Sequence, residues 1–277
     1  MKRNALRIVC NPISNNISYY FKNEIGEWCT LSDSSPLSRS SYKEASLEEK
    51  GSEIVKKIDE VYNRKDKGLD IIFEGEEKDY KLFEGYVKSL LSERNVTCVL
   101  GATKIIVAGK LGSGKTVLIE AMENLQKTKY KKEEFEEYYK YSDENNTEWY
   151  EIKGIDFGKE NIANAHKTIC RLVEKTSGMI VYCINSSTSR MEESEKAFIQ
   201  DLIFSFPALA GMIVVTQCND KKKISSFVDE IEKIANGIKV VPVLAQEFET
   251  DIENNGKMVV LKPFGLDKLA SYIFEGK

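Results

Sequence analysis

The sequence predicts an α/β fold in which a mostly parallel sheet with one antiparallel hairpin follows a smaller α/β domain of order βββαβαβ. Three observations carry this. Beyond residue 103, short apolar runs alternate with amphipathic segments of helix length, as strands joined by crossover helices do. One stretch, Phe135–Ile152, breaks that rhythm by placing the turn DENN between two strand-like halves. The first hundred residues carry three closely spaced strand candidates before any helix.

Taken in order, Leu6–Cys10, Ile17–Phe21 and Trp28–Leu31 read as strands separated by Asn- and Gly-bearing turns. The serine-rich loop SDSSPLSRSS follows, then a helix marked by Ile54, Ile58 and Val61 at helical spacing. Leu69–Phe73 reads as a buried strand, Tyr80–Leu91 as a helix and Val96–Leu100 as a strand. This order occurs in ribonuclease-H-like and actin-like domains, although no matching phosphate loop or acidic catalytic set accompanies it. The short Gly101–Thr103 segment predicts a boundary between domains 1–102 and 103–277 that pack together. Later strand candidates are Ile105–Ala108, Phe135–Tyr141, Thr147–Ile152, Met179–Ile184, Met212–Thr216 and Lys239–Val243. Helices are expected at Thr116–Leu125, Asn161–Glu174, Glu192–Phe204, Ser225–Ala235 and Leu266–Phe274. Turn-centred stretches near both ends, YYFKNEIGEWCTL and EFETDIENNGKMVVLKP, predict two further hairpins.

Composition narrows the function classes. In 277 residues, 42% are apolar and 30% charged, ordinary for a globular protein with a sizeable core. A formal charge of −4 argues against general affinity for nucleic acid or anionic lipid. The longest apolar run, Ala208–Val215, is too short to span a bilayer, and the start MKRNALRIVCN lacks the apolar core of a signal peptide. Six scattered cysteines without C-x-x-C spacing predict reduced, mostly buried thiols, and hence a cytoplasmic chain. The single histidine, His166, is expected on a helix surface and cannot build a His-rich metal site.

The chemistry concentrates in KIIVAGKLGSGKTVLIEAM, residues 104–122. Gly109-Lys110-Leu111-Gly112-Ser113-Gly114-Lys115-Thr116 fits G-x-x-x-x-G-K-[ST], between an apolar strand and an amphipathic helix. The glycines allow the backbone to curl so that successive N–H groups face one anion, and the helix adds the positive end of its dipole. Lys115 is expected to reach the β- and γ-phosphates, and the Thr116 hydroxyl to ligate Mg²⁺.

The order strand, phosphate loop, helix, hairpin, acidic turn and alternating helices and strands resembles the translation-factor-like class of P-loop GTPases, from Lys104 to about Phe274. The resemblance implies a P-loop NTPase fold, bound GTP or GDP, and Mg²⁺ as cofactor. The class's D-x-x-G element corresponds to Glu151-Ile152-Lys153-Gly154, with Glu151 as the metal-side acid, Asp156 as its rival, and Gly154 as the γ-phosphate sensor beside the catalytic Lys115. Ras-like enzymes place a water-positioning Gln next, but this chain has Ile155, so slow unaided hydrolysis is expected. The switch threonine on the metal side is expected at Thr128, with Thr147 less suitable. The guanine-reading [NT]-K-x-D corresponds to Thr216-Gln217-Cys218-Asn219, where Asn219 offers one neutral acceptor in place of a carboxylate; Asp220 is its alternative. A last base-contacting loop corresponds to Leu244-Ala245-Gln246, with Ala245 at its centre. The implied activity is an atypical GTPase switch acting on a protein partner or a second copy. An ATP-using P-loop enzyme and a non-hydrolysing nucleotide-bound interaction module are the alternatives.

Overall fold

The computed structural model describes residues 4–11, 16–22, 28–30, 68–74, 95–144, 147–156, 159–176, 178–187, 191–206, 210–235, 237–254 and 257–275, with single helical positions between 49 and 89. Ile54, Ile58, Val61 and the serine-rich loop lie outside the described residues.

The amino-terminal part forms a five-stranded sheet of order β3-β2-β1-β4-β5. Its strands are β1 (Asn4–Asn11), β2 (Asn16–Lys22), β3 (Trp28–Thr30), β4 (Gly68–Glu74) and β5 (Asn95–Leu100). β1, β4 and β5 run parallel, while β2 pairs antiparallel with both β1 and β3, giving the expected first hairpin. Alternate residues of a strand share one face, and Leu6 and Ile8 of β1 and Leu69, Ile71 and Phe73 of β4 are buried. Within the expected helix Tyr80–Leu91, residues 80, 84, 85 and 87–89 are helical.

The remainder builds a seven-stranded sheet of order β12-β11-β10-β6-β9-β8-β7. β6 (Thr103–Gly109), β9 (Thr147–Ile152), β10 (Met179–Asn185), β11 (Ala210–Thr216) and β12 (Lys239–Pro242) are mutually parallel. The predicted hairpin is β8 (Tyr138–Ser142) against β9, and the residues before it add a short edge strand, β7 (Lys131–Glu134). The charged sequence KKEE of β7 suits an exposed edge. Five helices cover this sheet: α1 (Lys115–Gln126), α2 (Lys159–Thr176), α3 (Glu193–Ser205), α4 (Lys221–Ala235) and α5 (Leu266–Ala270), which runs into a π-helical turn at Ser271–Glu275.

Alternation along β6 divides the core. Ile106 and Ala108 face α2, α3 and α4 through Ile169, Phe198 and Ile231, while Ile105 and Val107 face α1 and α5 through Leu118, Met122 and Leu269. Helices on both faces of a parallel sheet leave the carboxyl ends of the strands open, which is where such sheets bind ligands. Val9 and Tyr20 join the α2-side cluster, so the two sheets share buried apolar contact. The expected late hairpin is β13 (Phe248–Asn254) with β14 (Lys257–Leu261), a separate two-stranded sheet.

Thiols behave as the composition suggested: Cys98, Cys170, Cys183 and Cys218 are free, and burial pushes Cys98 up to about 11 and Cys183 up to about 12. His166 departs from its expected surface position. It is half-buried where α2 meets α3, with Nε2 3.0 Å from the Asp201 carboxylate and its ring against Phe198 and Phe206. Among the described residues, no helix is long and apolar enough to cross a membrane.

Candidate functional site

The loop between β6 and α1 is shaped by its glycines. Gly109 has φ +147°, and a Cβ there would lie 2.3 Å from the Cys183 carbonyl oxygen of β10. Gly112 and Gly114 take left-handed conformations at φ +73° and +79°. Ser113 donates its backbone N–H to the Lys110 carbonyl at 3.1 Å, closing the curl. The Ser113 hydroxyl is buried and has no hydrogen-bond partner among the described residues. A buried polar atom without a partner costs free energy, so this one calls for a polar ligand in the loop.

Lys115 begins α1 and is buried. Its Nζ donates to the carbonyls of Gly109 at 3.0 Å and Lys110 at 2.8 Å. Burial pulls this ammonium below the usual lysine range, against the opposing pull of Cys183 and Glu151. A poorly hydrated cation in a glycine-rich turn has the charge and the setting that suit an anion.

The Thr116 hydroxyl donates to Glu151 Oε1 at 2.6 Å, and the Tyr141 hydroxyl donates to Glu151 Oε2 at 2.8 Å. The rival acid, Asp156, is exposed beyond the turn. Two hard oxygen donors from Thr116 and Glu151 suit Mg²⁺, which takes only one or two protein oxygens when phosphates complete its octahedron.

After Glu151 the chain crosses the phosphate loop. Leu111 N–H donates to the Ile155 carbonyl at 3.3 Å, and Ile155 N–H donates to the Gly109 carbonyl at 3.2 Å. This pins Gly154 against the loop so tightly that a Cβ would lie 2.6 Å from Leu111 Cα. Ile155 itself is 3% exposed, its side chain directed into the core and away from the cavity.

The base-side residues converge from β11. Thr216 is buried and its hydroxyl donates to the carbonyls of Ser113 at 2.7 Å and Ile184 at 3.1 Å, tying the strand to the phosphate loop. Gln217 holds a left-handed backbone at φ 55°, rare for a residue with a Cβ. Its conformation is held from two sides: Nε2 donates to the Gly112 carbonyl at 3.1 Å, and its own carbonyl accepts from Ser186 Oγ at 2.8 Å.

Two adjoining cavities result. One, of about 530 Å³, is lined by Leu111, Gly112, Gly114–Val117, Tyr139, Glu151, Lys153, Gly154 and Gln217. The other, of about 250 Å³, is lined by Gly114, Val117, Thr216, Gln217, Asn219 and residues 244–248. They share Gly114, Val117 and Gln217, forming one groove.

Most sequence-predicted residues therefore meet around one groove, but Thr128 and the alternative Asp220 lie outside it, and Lys110 enters the loop by its backbone alone. Thr128 follows the C-terminus of α1, where its N–H donates to the Glu123 carbonyl. The helix has 12 residues, so Thr128 lies about 18 Å from Thr116 at 1.5 Å per residue. It cannot ligate a metal beside Thr116. The Lys110 side chain turns away to pair with Glu192 at 2.7 Å, leaving only its backbone in the loop. Asp220 immediately precedes α4, where its carbonyl accepts from Ile224 N–H and its carboxylate lies 3.7 Å from Lys223; Asn219 is the one in the cavity wall. Conversely, Tyr139, Tyr141 and Lys153 belong to the site and carry no motif. Tyr139 pairs across the hairpin with Glu151, a neighbour visible only once the strand register is known.

No protein-family model matches the chain, and no curated protein sequence does. Among solved structures, one titled a "probable GTP-binding protein engB" aligns over 63% of this chain and 98% of its own, at 13% identity and TM-score 0.40. A single-residue variant of Aquifex aeolicus Era bound to GDP.AlF4- aligns over 53% of this chain and 52% of its own, at 15% identity and TM-score 0.38.

Proposed function

We propose that the chain is a GTP-binding protein and a slow, Mg²⁺-dependent GTPase switch, acting on a protein partner or through self-association. The observation that carries this is the 2.6 Å contact between Thr116 and Glu151 at the mouth of the glycine loop. That pair, with Lys115 and Gly154, sets hydroxyl, carboxylate, ammonium and a backbone amide along one cavity of about 530 Å³. Lys115 would hold the β- and γ-phosphates, Thr116 and Glu151 the metal and its waters, and the Gly154 amide the γ-phosphate. Buried Ile155 supports the low rate, because its side chain has neither the chemistry nor the direction to orient a water. We further propose the division into units 1–102 and 103–277, with cytoplasmic residence.

Calorimetric titration with GTP, GDP and ATP, with and without Mg²⁺, tests the reading. GTP and GDP should bind with Mg²⁺ strengthening the triphosphate, and Lys115→Ala should abolish the heat. Failure of all three nucleotides to bind would sink it. Ile155 also supports a second reading, a nucleotide-bound interaction module, which predicts no phosphate release above the Lys115→Ala control at high protein concentration.

A further inference from the structure

Guanine presents two parallel donors, N1–H and the 2-amino group, and a two-oxygen anion is their best match. The position expected to supply it holds Asn219, with one neutral acceptor oxygen. Asp220 is held at the start of α4 beside Lys223. Yet one acidic residue, the exposed Glu247, does line the smaller cavity, the only one to do so among the described residues.

We infer that Glu247 is the guanine-selecting carboxylate of this chain, supplying from the loop before β13 the anion that Asn219 lacks. The inference rests on the nucleotide reading above. Three observations support it. Glu247 has no hydrogen-bond or ion-pair partner among the described residues, so both oxygens are available. The segment carrying it is fixed at both ends: Leu244 and Phe264 exchange backbone hydrogen bonds at 3.1 and 3.0 Å, and Phe248 is already in register with Leu261. Phe248, 40% exposed, borders the same cavity with an aromatic ring, the surface on which a purine packs.

The chemistry also selects against adenine. Its N1 carries a lone pair and its C2 no amino group, so a carboxylate at that edge meets repulsion and gains no hydrogen bond. Inosine keeps N1–H but lacks the 2-amino group, so it should fall between the two.

The test is displacement of a fluorescent guanosine triphosphate from the full chain by GTP, ITP and ATP, using wild type, Glu247→Gln and the double variant Glu247→Gln/Asn219→Asp. Wild type should rank GTP over ITP over ATP. Glu247→Gln should lose about tenfold or more in GTP affinity, since a charge-assisted bond is replaced by a mismatched donor, while ATP affinity holds or rises. Restoring the acid at residue 219 should recover the preference. If Glu247→Gln keeps the wild-type GTP-to-ATP ratio, the role of Glu247 is overturned and the nucleotide reading stands. If wild type binds no nucleotide, the reading itself fails. Retained ATP binding and unchanged circular dichroism in the single variant separate lost selectivity from misfolding.

Discussion

Gly154 and Leu111 illustrate how little room the site leaves at single residues. A methyl group on Gly154 would overlap Leu111 Cα and its side chain, and Leu111 belongs to the loop proposed to hold phosphate. Gly154→Ala is therefore expected to push the two segments apart, at a cost of about 1–3 kcal/mol typical of overpacking. Thermal unfolding should register that loss, and phosphate release should fall further than stability does, because the displaced backbone is the proposed γ-phosphate contact. Glu151 provides a second residue-scale prediction. Glu151→Gln keeps the shape and the bond from Tyr141 but removes the negative charge, so nucleotide binding should lose its dependence on Mg²⁺ while binding without metal changes little. Calorimetry with and without Mg²⁺ reads this directly.

At the scale of elements, the site depends on strands β10 and β11 being tied to the loop that follows β6. Thr216 makes that tie with one hydroxyl shared between two carbonyls, and Gln217 and Asn185 each donate to the Gly112 carbonyl, at 3.1 and 3.3 Å. Thr216→Val keeps the volume but leaves the Ser113 and Ile184 carbonyls without that donor in a dry environment. The expected loss is about 1–3 kcal/mol, measured by denaturant titration, with a parallel fall in nucleotide affinity. Helix α1 explains why Thr128 is remote from Thr116. The helix ends in a left-handed Lys127 whose N–H caps the Asn124 carbonyl, so the chain leaves at the pole opposite the phosphate loop. A threonine two residues beyond that end is close in sequence and remote in space.

Across the whole molecule, the two sheets meet through a buried charge cluster as well as apolar contact. Glu74 of β4 receives Lys104 of β6 at 2.6 Å and Arg7 of β1 at 3.2 Å, and Arg7 also donates to the Lys175 carbonyl at the end of α2. Beside it, Gly101 N–H donates to the Phe73 carbonyl at 2.7 Å, extending the β4–β5 ladder to the start of β6. The cluster thus joins the first sheet to the strand that precedes the phosphate loop and to the helix that follows Gly154. Burial pushes the Glu74 carboxyl up, and Lys104, then Arg7, pull it back. Lys104→Met removes the stronger pull and raises it further. A carboxyl raised in the folded state contributes stability that is complete below its unfolded value near 4.5 and is lost as pH rises through the folded value. The variant should therefore be less stable than wild type by about 3 kcal/mol at neutral pH. That gap should close as pH falls toward 4.5. A gap independent of pH would show that charge is not what holds this junction.

Local pattern was enough to determine most of the described strands and helices, the hairpins and the glycine loop, while the charged edge strand β7 escaped it. Each depends on neighbours in sequence: alternating or continuous apolar residues, glycines before Lys115-Thr116, and polar turns. The tertiary structure decided everything that depends on register or on distant segments meeting. It set the Glu151 carboxylate against Thr116, where β9 passes the start of α1, and left Asp156 exposed beyond the turn. It put Asn219 in the cavity wall and Asp220 at the head of α4, although they are adjacent in the chain. It also brought Tyr139 beside Glu151 across the hairpin and carried Glu247 to the rim of the smaller cavity. Periodicity specifies which face of an element is buried; it carries no information on which buried faces meet, and a binding site is made where they do.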